Sequence, residues 1–179
     1  MTGLFRSICN SCSGAAAAEM ALVLPLLLII LFGSVELGNY FMDQHSLIKA
    51  VRDGARYAAR QNFTYYPGCS GEPDAPVPDD TKNVVMSGYL GGGSDLTPNI
   101  TPSDITLTVT CASTAGGQDM LGIYRSRFGG NCDGVTANGC AQTVTVSATV
   151  DYRPILSAFG FTGIGMHLNA SSEAAVQGI

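Results

Sequence analysis

An uninterrupted apolar run dominates the N-terminal part of the chain. The 13 residues 20–32 are all apolar, and only Pro25 among them is a poor helix former. Residues 15–18 extend the run on one side and residues 33–38 on the other. This pattern predicts one long helix over residues 15–61, with a bend at Pro25 because proline has no N–H to donate to the helix backbone.

Three stretches in the C-terminal half alternate apolar and polar side chains with a period of two, the pattern of strands with one buried face. Their apolar members are Ile105, Leu107, Val109 and Cys111; Val144, Val146, Ala148 and Val150; and Met166, Leu168, Ala170 and Ala174. A short helix over residues 79–90 is predicted before them, because acidic residues open it and the glycines of residues 91–94 end it.

These elements predict the α+β fold class. The C-terminal half of the long helix carries Leu47, Ile48, Val51 and Ala55 on one face. Antiparallel sheets commonly have one face packed on the core and the other solvated. We therefore expect this half of the helix to cover the apolar face of a small antiparallel sheet.

Two carboxylates, Glu19 and Glu36, flank the apolar run, with 16 uncharged residues between them. At 1.5 Å per residue these cover about 24 Å, which is shorter than a hydrocarbon core of about 30 Å. A charged side chain deep in a bilayer costs about 2.5 kcal/mol or more. Each carboxylate is therefore expected to lie near a membrane boundary. For Glu19 we also expect either a partner group or a function that explains its position.

Three kinds of N-terminal segment could contain this run. A cleaved secretory signal fits its length, although residues 31–33, Leu-Phe-Gly, form a poor cleavage site. A lipoprotein signal fails because Cys9 precedes the run instead of following it. The third is a membrane helix retained after removal of a short leader. The flanking charges leave the choice open. The positive-inside rule would place the N-terminus outside the cell membrane. The cysteines downstream indicate instead that the C-terminal domain is on the outside.

Composition narrows the class of protein further. Hydrophobic residues make up 46% of the 179 residues and charged residues 13%, which is too apolar for a disordered chain. The net charge of −5 gives no electrostatic basis for binding nucleic acid. His45 and His167 belong to no metal-ligand or nucleophile motif, so we expect no catalytic residue, metal or cofactor, and a protein that is not an enzyme.

Six cysteines divide unevenly around the apolar run. Cys9 and Cys12 precede it as a bare C-x-x-C, and without a second ligand pair they indicate neither a zinc site nor a redox site. The other four follow the run in a Gly- and Thr-rich region and predict disulfides in an oxidising compartment.

The strand pattern favours one pairing of the four later cysteines. Cys111 and Cys140 both fall on apolar faces, at facing ends of two strands that would form an antiparallel hairpin. We therefore predict a Cys111–Cys140 disulfide, with Cys69 paired to Cys132. A local ring between Cys132 and Cys140, which are close together in a Gly-rich segment, is the alternative.

Several motifs in the first 60 residues resemble one protein family. Residues 14–19, G-A-A-A-A-E, stand directly before the apolar run and resemble the prepilin peptidase site of type IV pilin-like proteins. Residues 36–38, E-L-G, and residues 50–60, A-V-R-D-G-A-R-Y-A-A-R, resemble the TadE-like pseudopilins of tight-adherence (Tad, or Flp) pilus systems, apart from Val51. The resemblance covers residues 14–60 well and the remainder only loosely.

The resemblance implies a bacterial pseudopilin or minor pilin, a structural protein required for Tad pilus assembly, adhesion or secretion. It implies a leader over residues 1–14, a helix over residues 15–61 whose first half spans the inner membrane, and an extracytoplasmic disulfide-containing domain over residues 62–179. Incorporation into an extracellular pilus is a further expectation. The partners it implies are the inner membrane, a prepilin peptidase and other pilins or pseudopilins.

The same resemblance assigns roles to three residues. The peptidase would cut between Gly14 and Ala15, and Glu19 would then lie one helical turn from the new amino group. Pairing with that group, in its own chain or in a neighbour, would offset the desolvation cost of the carboxylate. The alternative is a secreted, disulfide-stabilised binding module behind a cleaved signal peptide, and its mature chain would begin beyond Phe32 instead of at Ala15.

Overall fold

A computed structural model describes residues 13–112, 114–115, 118–119, 141–159 and 165–178. Two α-helices are present in these stretches, α1 (Ser13–Ala59) and α2 (Val77–Ser87). The strands are β1 (Ile105–Ala112), β2 (Thr114–Ala115), β3 (Gln118–Asp119), β4 (Ala141–Asp151) and β5 (His167–Ala175). Short 3-10 helices span Phe63–Tyr65, Pro102–Asp104 and Ile155–Phe159.

The two helices have slightly different bounds from those predicted. Helix α1 ends at Ala59, two residues before the predicted end at Gln61, and Pro25 lies inside it. Helix α2 ends at Ser87, and the next residue, Gly88, adopts a left-handed φ of 79° and donates its N–H to the carbonyl of Val84. Left-handed glycine is a common helix terminator, so this residue stops α2 before the glycines at residues 91–94.

The three predicted strands form one antiparallel sheet in the order β1-β4-β5. Strand β4 occupies the centre, with Leu107 opposite Val146 on one side and Leu168 opposite Val150 on the other. Strands β2 and β3 pair separately as a small antiparallel ribbon. A long helix with a small antiparallel sheet confirms the predicted α+β fold class.

One face of the sheet is buried against α1. The buried residues on β1 and β4 are those of the predicted alternation: Ile105, Leu107, Val109, Val144, Val146, Ala148 and Val150. Helix α1 packs on β4 and β5 and buries Leu47, Val51 and Ala55, while Ile48 is half-buried. Met166, predicted on the apolar face, precedes β5 and is 43% exposed.

The predicted disulfide pairing is wrong. Cys69 is bonded to Cys111, with 5.0 Å between their Cα atoms, so neither is available for Cys140 or Cys132. The physical reason is that β1 is an edge strand and the loop after α1 runs along its open side, where the Val109 amide donates to the Gly71 carbonyl at 2.8 Å.

Cys132 and Cys140 lie outside the described residues, as do Cys9 and Cys12. The alternative ring between Cys132 and Cys140 therefore stays a prediction.

Candidate membrane-anchoring and assembly site

The N-terminal half of α1 is a bare apolar surface. Its large side chains are between 38% exposed, at Phe32, and 79% exposed, at Leu22. Within the described stretches, α1 is the one helix long and apolar enough to cross a membrane, and none of its most apolar part is buried by protein. A surface of this kind is stable in lipid and unfavourable in water.

The three residues expected to act in processing and assembly lie at the start of α1. Gly14, Ala15 and Glu19 are all exposed and helical. A side chain added at Gly14 would meet open space. Ala15 and Glu19 are four residues apart and so share one face of the helix. The Glu19 carboxylate has no hydrogen-bond or ion-pair partner in the part of the chain that the structure describes, which leaves it accessible.

Glu36, at the other end of the apolar run, has the opposite environment. It is only 9% exposed, and its carboxylate accepts three hydrogen bonds from the segment that follows β4. The Tyr152 hydroxyl donates one, the Ile155 amide donates one at 3.2 Å and the Leu156 amide donates one at 3.1 Å. Hydrogen bonds to a charged group contribute about 1.5–3 kcal/mol each, which offsets the cost of burying the carboxylate.

Two neighbours of Glu36 on α1 also bind this end of the sheet. Asn39 donates its side-chain N–H to the Tyr152 hydroxyl at 3.0 Å. Tyr40 donates its hydroxyl to the His167 carbonyl at 3.3 Å, and its ring packs edge-on against Tyr152 with 5.1 Å between centroids. These contacts therefore hold α1 against the end of the sheet, at the level where the apolar run of α1 ends.

Tyr152 is the centre of this contact. Burial raises the pKa of Tyr152 to about 12, and its hydrogen bond to the Glu36 carboxylate adds to the increase. The phenol is protonated at physiological pH, as it would be at its usual pKa of 10.0, and the raised pKa keeps it a donor to Glu36 at higher pH as well. The sequence singled out Glu36 as a second carboxylate but predicted no partner for it, because its donors lie more than 110 residues away.

A shallow apolar groove of about 290 Å³ opens beside this contact. Its lining consists of Gly33, Glu36, Leu37, Tyr40, Tyr152 and Met166. Glu36 supplies the charged group, and its carboxylate already has the three donors described above. The groove therefore lies between the bare half of α1 and the end of the sheet. It presents no unpaired carboxylate to a small ligand.

Titratable side chains also lie elsewhere in the described stretches. No cluster of three His, Cys, Asp or Glu side chains that would suit a metal ion occurs among residues 13–112 or the later described stretches. His167 lies 2.7 Å from Asp151, and both side chains are largely exposed. This geometry is that of a surface ion pair, which forms when the histidine is protonated.

Residues 14–56 match the family model described as TadE-like protein. Neither a curated protein nor a solved structure matches the chain. The matched stretch contains the bare apolar half of α1 and most of the half that packs on the sheet. It confirms the resemblance of this stretch to TadE-like proteins and suggests an association with a Tad pilus. Helix α1, which contains the stretch, is long and apolar enough to span a membrane.

Proposed function

We propose that the chain is a pseudopilin or minor pilin of a Tad pilus system, a structural component and not an enzyme. A prepilin peptidase removes residues 1–14, the apolar half of α1 holds the protein in the inner membrane, and the sheet domain lies on the extracytoplasmic side. The observation that carries this proposal is the TadE-like match over residues 14–56, which includes the apolar helix surface that no described residue covers.

The accessible carboxylate of Glu19 supports a role in assembly. Cleavage after Gly14 creates an amino group on Ala15, one helical turn from Glu19. In a bilayer this pair of charges is far more favourable than either charge alone. Because the Glu19 side chain is exposed, the amino group of a neighbouring pilin can serve as its partner equally well.

The disulfide supports the proposed orientation. Disulfides persist in oxidising compartments and are rare in the bacterial cytosol. The Cys69–Cys111 bond ties the loop after α1 to an edge strand of the sheet. A sheet domain on the extracytoplasmic side of the inner membrane meets this requirement.

The substitution Gly14→Val tests the processing step. Since a side chain at this position meets open space, the variant should fold and insert normally. A peptidase that reads a residue of minimal bulk next to the cut should fail to process it. We therefore expect intact-mass measurement of the membrane fraction to find residues 1–14 still attached, while the unaltered protein begins at Ala15.

Gly33→Val is the matched control, because Gly33 lies in the same helix and its added side chain also meets open space. Its mature chain should begin at Ala15. Normal cleavage of Gly14→Val, or a mature N-terminus beyond Phe32 in the unaltered protein, would contradict the proposal. The second result would instead identify a secreted module behind a cleaved signal peptide.

A further inference from the structure

The length of the apolar run determines which part of the fold meets the edge of the membrane. The 16 uncharged residues between Glu19 and Glu36 cover about 24 Å as a helix, whereas a hydrocarbon core measures about 30 Å. The boundary of the hydrocarbon on the domain side therefore falls at Glu36 or just beyond it, and not before it.

The contacts of Glu36 bring part of the sheet domain to that same level. Its hydrogen bonds with the amides of Ile155 and Leu156 hold the segment after β4 beside the helix. Met166 reaches the same place from the start of β5, because it lines the apolar groove together with Gly33 and Glu36. The end of the sheet thus lies against the last turns of the apolar run.

The side chains at this level are apolar and uncovered. Ile155 is 58% exposed and Met166 is 43% exposed. On α1 itself, Leu37 and Phe41 are 55% and 53% exposed. Together they continue the bare surface of the N-terminal half of α1 onto the sheet domain.

We propose that the membrane-proximal edge of the domain, formed by Ile155 and Met166 beside residues 33–41, lies in the bilayer interface and is covered by lipid acyl chains. In this arrangement the sheet domain contacts the membrane surface directly, and no length of exposed helix separates the two. The inference rests on the proposed membrane anchoring, and it adds a second contact with lipid, made by residues more than 110 positions further along the chain.

This placement also gives a reason for the donors around Glu36. A carboxylate at the hydrocarbon edge cannot rely on water, and lipid over the groove would exclude water further. Hydrogen bonds are stronger in surroundings of low dielectric constant, and an unpaired polar group there is correspondingly more costly. The Tyr152 hydroxyl and the two amides supply the hydrogen bonds that water would otherwise provide.

Tryptophan fluorescence can test the proposal directly, because the chain contains no Trp. Ile155→Trp and Met166→Trp each place a single reporter at the proposed contact. The full-length protein is reconstituted in nanodiscs of phosphatidylcholine and phosphatidylglycerol. The lipids carry bromine either near the headgroup end or near the methyl end of the acyl chain, and bromine quenches a Trp that it touches.

Two matched variants calibrate depth. Leu27→Trp lies midway between the two carboxylates and should be quenched by the deep bromines. Tyr89→Trp replaces a side chain that is 72% exposed and lies beside Lys49 and Asp53, which are at least about 20 Å further along the helix than Glu36. It should show red-shifted emission and no quenching by either lipid.

We expect Ile155→Trp and Met166→Trp to show blue-shifted emission and to lose intensity with the shallow bromines more than with the deep ones. Emission like that of Tyr89→Trp would overturn the inference. So would a blue shift without quenching by either lipid, which would mean that a second copy of the chain covers the groove. If Leu27→Trp itself escapes the deep bromines, the membrane anchoring in the proposed function has failed instead.

Discussion

At the residue scale, the two carboxylates that flank the apolar run have opposite surroundings. Glu19 is exposed and has no partner among the described residues, whereas Glu36 is buried and has three donors. The first is therefore available to another molecule, and the second is part of the fold. The two residues have similar neighbours in the sequence, since both are carboxylates next to apolar residues. Only their contacts in the structure distinguish their roles.

Replacing Glu36 should destabilise the sheet domain. In Glu36→Ala, the Tyr152 hydroxyl and the amides of Ile155 and Leu156 lose their acceptor while staying near the base of the domain. We expect the free energy of unfolding to fall by about 3 kcal/mol, since buried donors left without an acceptor are costly. Hydrogen exchange at the two amides should become faster, which mass spectrometry of the peptide that contains them can measure.

Glu173→Ala is the control for this change, because Glu173 is an exposed carboxylate on β5. Its free energy of unfolding should stay within about 0.5 kcal/mol of the unaltered protein. Unchanged exchange in Glu36→Ala would mean that water replaces the carboxylate and that the contact does not stabilise the fold.

The raised pKa values of two buried tyrosines predict that the protein loses stability at high pH. Burial raises the pKa of Tyr66 well above its usual value of 10.0, and that of Tyr152 to about 12. Above about pH 10 the unfolded chain releases these protons while the folded chain keeps them, so stability falls as pH rises. Below that pH both states are protonated, and the free energy of unfolding should not change on their account.

Chemical denaturation as a function of pH can measure this effect. We expect these two tyrosines to leave the free energy of unfolding unchanged up to about pH 10, and then to lower it by at most about 1.4 kcal/mol per pH unit for each tyrosine. Tyr66→Phe should reduce the slope, and it should also cost about 1 kcal/mol at neutral pH because the hydrogen bond to the Ala58 carbonyl is lost. Tyr89→Phe, at an exposed position, should leave the slope unchanged.

At the element scale, α1 is one continuous helix with two different surroundings. Its first half is bare and apolar, and its second half is packed between the sheet and α2. Gly54 lies in the second half, within the A-V-R-D-G-A-R segment, and a Cβ placed there would overlap the Val85 side chain of α2. The glycine is therefore needed for the close approach of the two helices.

Gly54→Ala should loosen the contact between α1 and α2. Overpacking of this kind typically costs about 1–3 kcal/mol, which should exceed the gain of about 1 kcal/mol that alanine brings to a helix. Thermal denaturation should show a lower midpoint. The second substitution Val85→Ala should recover part of the loss, because it removes the overlapping methyl groups.

Gly38→Ala is the matched control in the same helix, since an added Cβ at Gly38 meets open space. Its midpoint should be unchanged or slightly raised. A Gly54→Ala protein as stable as this control would show that α2 can shift at no cost, and that close packing does not explain the glycine.

The elements themselves were largely predictable, but the contacts between their ends were not. The alternation of apolar residues located the three strands to within two residues at each end, because a side-chain period of two is a local property. It placed Cys111 near the end of β1 but could not show that the loop carrying Cys69 follows the open edge of that strand. The predicted pairing with Cys140 failed for that reason.

At the scale of the whole molecule, Glu19 should matter for assembly and not for folding. Glu19→Gln keeps the shape of the side chain and removes its charge. Because Glu19 has no partner within the described residues, the variant should still insert and begin at Ala15. We expect its recovery in purified Tad pilus assemblies to fall about tenfold, the effect of losing about 1.4 kcal/mol of pairing energy.

Glu72→Gln provides the comparison, because Glu72 lies in the loop after α1 and its ion pair with Lys82, at 3.8 Å, is on the surface. Quantitative mass spectrometry of the assemblies should find this variant at the level of the unaltered protein. Equal recovery of Glu19→Gln would show that the carboxylate is merely tolerated at a membrane boundary.

The sequence by itself determined the apolar helix, the α+β class and the resemblance of residues 14–60 to TadE-like proteins, because periodicity and short motifs are properties of neighbouring residues. The tertiary structure alone decided which groups meet over long separations. It joined Glu36 to Tyr152, 116 residues away, and Cys69 to Cys111, 42 residues away. Such contacts depend on strand order and on the path of loops, which local patterns do not specify.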